Sequence, residues 1–198
     1  NHRFGGASIE TPECPNCAAP MHMLFAFDLR DPALKPITMN LSFLPLISCL
    51  NCSGYWGEQV FSLKDGRVSI VLQQDEEHWQ LDEENRLPVP LPEASVTLVS
   101  LGEEELVRPG MTDDEKDVVF GALGTRYIAR LFGGELTDDE SSSTVCFSCG
   151  ENMLYAASVA EDINETLVTA HSFLLGEMIV NFYVCNRCCL VKTVSLST

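Results

Sequence analysis

Four Cys-x-x-Cys pairs constrain this chain more than any other feature, because eight of its nine cysteines fall into two matched sets. The first set joins Cys14-Pro15-Asn16-Cys17 to Cys49-Leu50-Asn51-Cys52, and the second joins Cys146-Phe147-Ser148-Cys149 to Cys185-Asn186-Arg187-Cys188. Two such turns brought together place four sulfurs around one point, as in a tetrahedral thiolate metal site. The sequence therefore predicts two zinc ions, with the metal ligands Cys14, Cys17, Cys49, Cys52, Cys146, Cys149, Cys185 and Cys188.

The spacing inside each set indicates how each site is built. Thirty-one residues separate Cys17 from Cys49 and thirty-five separate Cys149 from Cys185, so each site must close around a small sheet. A site with four cysteine ligands leaves no open position for water or substrate, and we expect a structural role. Disulfides and an iron–sulfur cluster are the alternative uses of these cysteines. Cys189 is interpreted as a small apolar strand residue, the alternatives being an extra ligand or a reactive thiol.

The charge of the chain bears on its partners. The formal net charge is -17, from 29 acidic and 12 basic residues. Residues 1–100 carry thirteen acidic and six basic residues and residues 101–198 carry sixteen and six, so neither half is basic. Each zinc ion bound by four thiolates would add about -2. Because nucleic-acid binding requires a surface of Lys and Arg, the composition argues against a nucleic-acid partner and favours a basic protein partner.

The apolar runs and the cysteines indicate the compartment in which the protein is expected. Apolar runs fall short of the roughly 18 to 20 residues of a membrane span. Unoxidised Cys-x-x-Cys pairs fit a reducing compartment. We therefore expect a cytoplasmic protein without membrane contact.

An internal repeat predicts two related halves. In the first copy Phe4-Gly5-Gly6 precedes the Cys14 pair and Met21, and in the second Phe132-Gly133-Gly134 precedes the Cys146 pair and Met153. The shared order and spacing favour duplication and a pseudo-two-fold arrangement. We place the first zinc-ribbon-bearing β repeat at residues 1–101 and the second at 102–198, either as two units or as one continuous domain.

Most segments are predicted to be strands, so the expected fold class is mostly β (α+β), with one or two helices. Residues 21–29, 67–73, 93–101 and 178–184 are rich in aliphatic and aromatic side chains, and Trp56 and Phe61 are placed on a further strand. Residues 64–67 predict a hairpin turn. One helix is predicted from the capping-box pattern Thr112-x-x-Glu115. The residues proposed for its buried face are Val118, Val119, Leu123 and Ile128.

Several short motifs resemble the YwqG-like family of uncharacterised bacterial proteins, in particular its cysteine-bearing members. They are Phe4-Gly5-Gly6, Pro12-Glu13-Cys14-Pro15-Asn16-Cys17, Pro20-Met21, Asp28-Leu29 and Leu91-Pro92-Glu93, and residues 146–153 and 176–188 repeat the pattern. The resemblance implies a mostly β fold with internal pseudo-symmetry and no established enzymatic activity. Members are similar to proteins found near polymorphic toxin genes, some of which are thought to act as immunity proteins. Residues 7–10 depart from the family, which has a Pro and a Trp-Ile-Gln-like segment there, so any function tied to that segment is in doubt.

The sequence contains no pattern that demands catalysis. Gly-rich phosphate loops and the Gly-x-Ser-x-Gly motif are absent, and His22 and His171 are interpreted as packed or surface residues. The acidic clusters are interpreted as solvated surface, and the best candidate for partner binding is the segment with Asp75, Glu76, Glu77 and Trp79. We therefore predict a non-catalytic acidic zinc protein, most simply an immunity-type inhibitor that binds a basic toxin domain. A zinc-stabilised scaffold or adaptor is the first alternative, and an enzyme of unknown activity is the second.

Overall fold

The computed structural model describes residues 1–53, 57–64, 66–73, 78–108, 110–123, 126–135, 144–160 and 178–197. These residues form a mostly β fold with one α-helix, in agreement with the predicted class. The strands are β1 (His2–Phe4), β2 (His22–Asp28), β3 (Phe43–Ser48), β4 (Gln59–Ser62), β5 (Ser69–Gln73), β6 (Ala94–Val96), β7 (Ala129–Leu131), β8 (Leu154–Val159), β9 (Met178–Cys185) and β10 (Leu190–Ser197). The helix is α1 (Asp113–Ala122), and short 3₁₀ turns cover Pro32–Leu34, Glu83–Asn85 and Glu103–Glu105.

The strands form two antiparallel sheets. The first has the order β3-β2-β1-β6, and the second has the order β5-β4-β10-β9-β8-β7. The six-stranded sheet combines strands from both sides of residue 101, because β4 pairs with β10 and places Phe61 opposite Val191. Backbone hydrogen bonds thus join the two parts of the chain, and a division at residue 101 stays a prediction.

The largest hydrophobic cluster of the described residues, here called the main hydrophobic cluster, contains side chains from both sheets. Phe4, Phe25 and Phe27 come from the four-stranded sheet, and Val180 and Phe182 come from the six-stranded sheet. The rings of Phe25 and Phe27 stack with centroids 5.2 Å apart. All seven residues of β2 are buried, which explains why this strand has an almost continuous apolar sequence instead of an alternating one.

The hairpins β2·β3 and β8·β9 have the same register relative to their cysteines. A bulge follows Met23 in β2 and Tyr155 in β8. Each of these residues stands nine positions after the first cysteine of its set. Their cross-strand partners are Ile47 and Tyr183, each two positions before the third cysteine of its set.

The strands that precede these hairpins differ from the alignment read from the sequence. Arg3 in β1 lies opposite Ala26 and Arg130 in β7 lies opposite Ser158. Since Ala26 and Ser158 each stand twelve positions after the first cysteine of their set, Arg3 and Arg130 occupy matching positions. The matched motifs Phe4-Gly5-Gly6 and Phe132-Gly133-Gly134 are therefore displaced by one residue from the pairing of the strands.

The four predicted strand ranges each contain a strand, which is shorter than predicted in three of them and one residue longer in 178–184. The predictions for 21–29, 67–73 and 178–184 correspond to β2, β5 and β9, and Phe61 lies in β4. Of the prediction for 93–101 only Ala94–Val96 is a strand, because its partner β1 is itself three residues long. The turn before β5 is closed by a hydrogen bond from Arg67 N to Lys64 O of 3.0 Å. Trp56 lies outside the described residues.

Helix α1 begins where the capping box predicts. Thr112 Oγ1 accepts from Glu115 N at 3.3 Å, and Glu115 Oε2 accepts from Thr112 N at 2.8 Å. Val119 is buried, but Val118 is 71% exposed, so its predicted burial is wrong: the next helical position lies about 100° around the axis. Ile128 follows the end of the helix and packs in the main hydrophobic cluster. No helix in the described ranges is long and apolar enough to cross a membrane.

Candidate metal centres

The first cysteine set converges as the sequence predicts. The sulfurs of Cys14, Cys17, Cys49 and Cys52, here called the first cluster, lie within 4.8 Å of one another. The Sγ–Sγ distances are 3.5 Å for Cys14–Cys52, 3.6 Å for Cys17–Cys49 and 3.3 Å for Cys49–Cys52. Four Zn–S bonds of about 2.3 Å give a tetrahedron with edges of about 3.8 Å. The cluster could therefore hold a metal ion with little rearrangement.

The second cysteine set forms a matching group. The sulfurs of the second cluster also lie within 4.8 Å of one another, with Cys149 and Cys185 3.7 Å apart, and its members are Cys146, Cys149, Cys185 and Cys188. All nine cysteines are free thiols, and these distances are well beyond the S–S bond of about 2.05 Å. Cys189 lies outside both clusters and packs against the main hydrophobic cluster, as the apolar interpretation predicts. Its predicted place on a strand is wrong, because it lies in the turn before β10 with a left-handed backbone, at a φ of 54°.

The first pair of cysteines in each cluster is held by the same backbone turn. Cys14 N donates to Ala19 O and Ala18 N donates to Cys14 O, both at 2.8 Å. The second cluster repeats both bonds at 2.8 Å, from Cys146 N to Glu151 O and from Gly150 N to Cys146 O. The turn requires a left-handed residue, with φ of 56° at Ala18 and 72° at Gly150. Glycine adopts this conformation without strain, whereas alanine does so at some cost.

The close approach of the sulfurs governs their protonation. Hydrogen bonds from Cys49 and Cys52 hold the pKa of Cys14 well below its usual range, and hydrogen bonds with Cys14 and Cys52 raise the pKa of Cys49. In the second cluster burial raises the pKa of Cys185 to about 12. Four neighbouring thiols thus keep some of their protons, and a divalent ion that displaces those protons would balance the charge.

A short segment closes over the first cluster. Ser53 N donates to Trp79 O at 2.9 Å, and Trp79 N donates back to Ser53 Oγ at 3.1 Å. Leu81 N donates to Asn51 O at 2.9 Å, and Asn16 Nδ2 donates to Ser53 Oγ at 3.0 Å. We call residues 79–81 the strap. Gln80 Nε2 of the strap also donates to Asn16 O at 3.2 Å, so the strap contacts both Cys-x-x-Cys turns of the first cluster.

The strap bears on the predicted partner-binding segment. Trp79 is partly buried and packs against the main hydrophobic cluster. Asp75, Glu76 and Glu77 lie outside the described residues. A role of these four residues in binding stays a prediction.

His22 supports the first cluster from the interior, which confirms its interpretation as a packed residue. Leu50 N donates to His22 Nδ1 at 3.1 Å, and Asn51 Nδ2 lies 3.4 Å from His22 Nε2. The ring is fully buried, and this burial lowers its pKa from 6.5 to about 4. The imidazole is therefore neutral at physiological pH. His171 lies outside the described residues.

A chain of amides links the first cluster to the six-stranded sheet, and sequence patterns gave no sign of it. Ser48 Oγ donates to Gln59 Oε1 at 3.3 Å, and Gln59 Nε2 donates to Gln73 Oε1 at 3.3 Å. Gln73 Nε2 lies 3.8 Å from Cys14 Sγ, and Phe61 packs beside the cluster. The first cluster therefore contacts β4 and β5 as well as the hairpin that carries it.

Comparisons with known proteins add no relative from which a role could be taken. A scan against protein-family models found no match, and neither did searches of the curated proteins and of the solved structures. The functional interpretation therefore depends on the geometry and the charge of the described residues.

Proposed function

We propose that this protein is a non-catalytic zinc protein that captures a basic protein partner, as an immunity-type inhibitor of a toxin domain would. The observation that carries the proposal is an acidic surface that remains after the internal ion pairs are counted. Two cysteine clusters that could each hold a metal ion support the zinc part of it. A reducing compartment such as the cytoplasm would keep the thiols available.

Zinc is the metal that best fits the clusters. It prefers four tetrahedral sulfur ligands in structural sites, and the observed sulfur spacing lies near that geometry. Four protein ligands leave no position for a substrate, so the ions would stabilise the fold and would not catalyse a reaction. Metal analysis of the purified protein tests this, since iron in place of zinc would contradict it.

Part of the basic charge is already paired with carboxylates inside the molecule and does not offset the remaining acidic residues. The described ion pairs are Arg3–Glu93, Arg30–Asp28, Arg108–Glu103, Arg126–Glu105, Arg187–Glu151 and Lys192–Glu58. These pairs engage six of the 12 basic residues. The remaining exposed charge is predominantly negative, which favours a basic partner and speeds its capture.

One part of this surface can be named in the described structure. Exposed carboxylates lie on the 3₁₀ turn before α1 and on α1 itself, two elements that contact each other. We call this group the acidic face: Glu104, Asp113, Asp114 and Asp117. It supplements the predicted segment at Asp75, Glu76, Glu77 and Trp79 as a place for a basic partner to bind.

The proposal includes a duplicated architecture and the relationship to YwqG-like proteins. The equal registers of β2·β3 and β8·β9 and the two matching cysteine turns support a pseudo-two-fold relation between the halves. Membership of the YwqG-like family is supported by the short motifs around Cys14 and Cys146 alone.

Affinity capture from the native cells, at low and at high salt, tests the proposal. We expect wild type to capture one basic protein in stoichiometric amount. The double variant Glu104→Gln/Asp117→Asn should capture less of that protein. The matched control Glu10→Gln/Glu13→Gln removes two exposed charges elsewhere and should bind normally. Several weak partners would favour the scaffold or adaptor, and capture of no partner at either salt concentration would contradict the inhibitor.

A further inference from the structure

Two open sheet edges line one cavity of about 460 Å³. Among the described residues β6 is the last strand of the four-stranded sheet, and β7 is the last strand of the six-stranded sheet. The walls of the cavity include residues 97–101, which directly follow β6, and residues 129–132, which contain β7. The cavity shares no residue with the two cysteine clusters, so it is a separate feature of the fold.

The register of β7 directs backbone groups away from β8. Ala160 N donates to Ile128 O at 2.9 Å, which makes these two residues a bonded pair at one end of the β7·β8 ladder. Because bonded and non-bonded pairs alternate in an antiparallel ladder, Ala129 and Leu131 turn their N–H and C=O groups to the outer side. Both residues are half-buried, and the hydrogen bonds of the described residues include none from their backbone.

The register of β6 directs backbone groups outward in the same way. Gly5 N donates to Leu24 O at 3.0 Å, and this bonded pair continues the β1·β2 ladder. Since neighbouring residues of a strand turn their backbone groups to opposite sides, Phe4 faces Ala94 of β6 as a bonded pair. The next residue of β6, Ser95, therefore turns its N–H and C=O groups away from β1.

The segment 97–101 continues this open edge along the cavity. It keeps the alternation of a strand, because Val96 and Leu98 are half-buried whereas Thr97 and Val99 are exposed. Leu98 packs against the main hydrophobic cluster, and Val99 is 81% exposed. Hydrogen bonds of residues 97–101 are absent from those of the described part of the chain, so this segment has the form of a strand without a partner.

An added strand between the two edges would satisfy both of them. Unpaired N–H and C=O groups at a sheet edge are a template for another chain. An extended peptide that adds to a sheet gains affinity from main-chain hydrogen bonds and specificity from its alternate side chains. The side chains on its inner face would be apolar, because the cavity wall contains Leu98, Leu101, Leu106, Leu131 and Phe132.

The charge beside the cavity indicates which side chains the outer face of the occupant carries. Residues 102–117 contain seven acidic and two basic residues, and they begin where the segment 97–101 ends. The 3₁₀ turn Glu103–Glu105 contacts α1, and its last residue is part of the cavity wall, so the acidic face lies at this end of the cavity. A second copy of this chain, with a net charge of -17, would be repelled there.

We propose that this cavity, here called the strand slot, binds an extended basic segment of the protein partner as an added β-strand. The segment pairs with residues 97–101 on one side and with β7 on the other. Its apolar side chains face the wall, and its Lys and Arg side chains face the acidic face. The basic character of the occupant rests on the proposed function, whereas the open edges are independent of it.

Amide hydrogen exchange of the zinc-loaded full chain, followed by NMR, tests the strand slot with a synthetic peptide. The probe is an acetylated and amidated heptapeptide of alternating Lys and Val. We expect it to slow exchange at Thr97, Val99, Ala129 and Leu131, because strand pairing protects these amides. The same peptide with N-methylated valines, and a peptide of alternating Glu and Val, should each bind about tenfold or more weakly.

Substitutions at one exposed position separate backbone pairing from side-chain contact. Val99→Pro removes an N–H group and should weaken binding of the Lys/Val peptide about fivefold or more, whereas Val99→Ala keeps that group and should bind like wild type. Proline is compatible with an extended, unbonded segment, so both variants should melt like wild type. Glu104→Gln/Asp117→Asn should weaken peptide binding at low salt, and the control Glu10→Gln/Glu13→Gln should not.

Four results would overturn the strand slot. They are unchanged exchange at residues 97–101 and 129–131, equal binding of the N-methylated peptide, equal binding of the probe to Val99→Pro and Val99→Ala, and a peptide-free wild-type dimer that Val99→Pro dissociates. The two proposals can fail separately. A captured basic partner that binds Val99→Pro normally supports the proposed function and refutes the slot as its docking site. Protected slot amides without any captured partner support the slot and contradict the inhibitor.

Discussion

Cys52 is a member of the first cluster and Cys189 is a chain neighbour of the second, so the structure gives the two cysteines different surroundings. Cys52 is fully buried among the sulfurs of the first cluster, and Cys189 lies outside the second. We expect Cys52→Ser to reduce bound zinc from two ions per chain to one and to lower the melting temperature strongly, because a structural zinc site contributes about 10 kcal/mol or more. Cys189→Ser should keep both ions. Elemental analysis and calorimetry measure these effects, and a fully loaded, stable Cys52→Ser would refute the ligand assignment.

His22 predicts a specific dependence of stability on pH. Burial lowers its pKa from 6.5 to about 4. Between pH 4 and pH 6.5, therefore, the imidazole is protonated in the unfolded chain and neutral in the folded chain. The contribution of neutral His22 is complete above pH 6.5 and is lost as the pH falls to 4, by up to about 3 kcal/mol. Denaturant unfolding should show this loss in wild type and not in His22→Asn, whose amide oxygen can still accept from Leu50 N. The exposed-site control His78→Asn should behave as wild type, and identical pH slopes for His22→Asn and wild type would disprove the assignment.

Residues differ in how far their roles could be read from the sequence. The two groups of four cysteines were predictable because paired cysteines at this spacing leave few other uses. His22 was recognisable as a packed residue, but its contact with Leu50 was not, because residues far apart in the chain create it. Arg130 gave no signal at all, since a lone arginine in a strand is ordinary until its burial is known.

Among the elements, the strap over the first cluster predicts unequal metal retention. Asn16 Nδ2 donates to Ser53 Oγ, which also accepts from Trp79 N, so Asn16 joins the first cysteine turn to the strap. Asn16→Ala should speed zinc release from the first cluster about fivefold, the equivalent of about 1 kcal/mol for one hydrogen bond. The matched control is Ser148→Ala, at the same place in the second cluster, where the side chain is exposed. Chelator competition should show one faster phase in Asn16→Ala, and two unchanged phases would contradict a role for the strap.

The bounds of an element were predictable where they depend on interactions between residues close together in the chain. The capping box placed the start of α1 correctly because its hydrogen bonds form within four residues. The bounds of the segment 93–101 were not predictable, because β6 extends only as far as β1 offers partners. The pairing of β4 with β10 was not predictable either, because it joins residues more than 100 positions apart in the chain.

At the scale of the whole molecule, the six-stranded sheet leads us to expect that the two cysteine clusters belong to one cooperative structure. The turn at Cys185–Cys188 connects β9 to β10, β10 pairs with β4, and Gln73 of β5 lies beside Cys14 of the first cluster. Loss of metal from the second cluster should therefore weaken the first as well. The shared hydrophobic cluster adds to this coupling because both sheets contribute to it.

Hydrogen exchange of Cys188→Ser measures that coupling. We expect faster exchange in β9 and β10, where the ligand is lost, and also in β4, β5 and the hairpin β2·β3, because the paired strands and their common core open together. Cys189→Ser provides the control with an intact cluster. Faster exchange confined to residues 144–197, with β2, β3 and the first metal ion unaffected, would mean that the halves unfold independently. In that case the β4·β10 pairing would hold the halves together without making them cooperative, and each zinc ion would stabilise its own half.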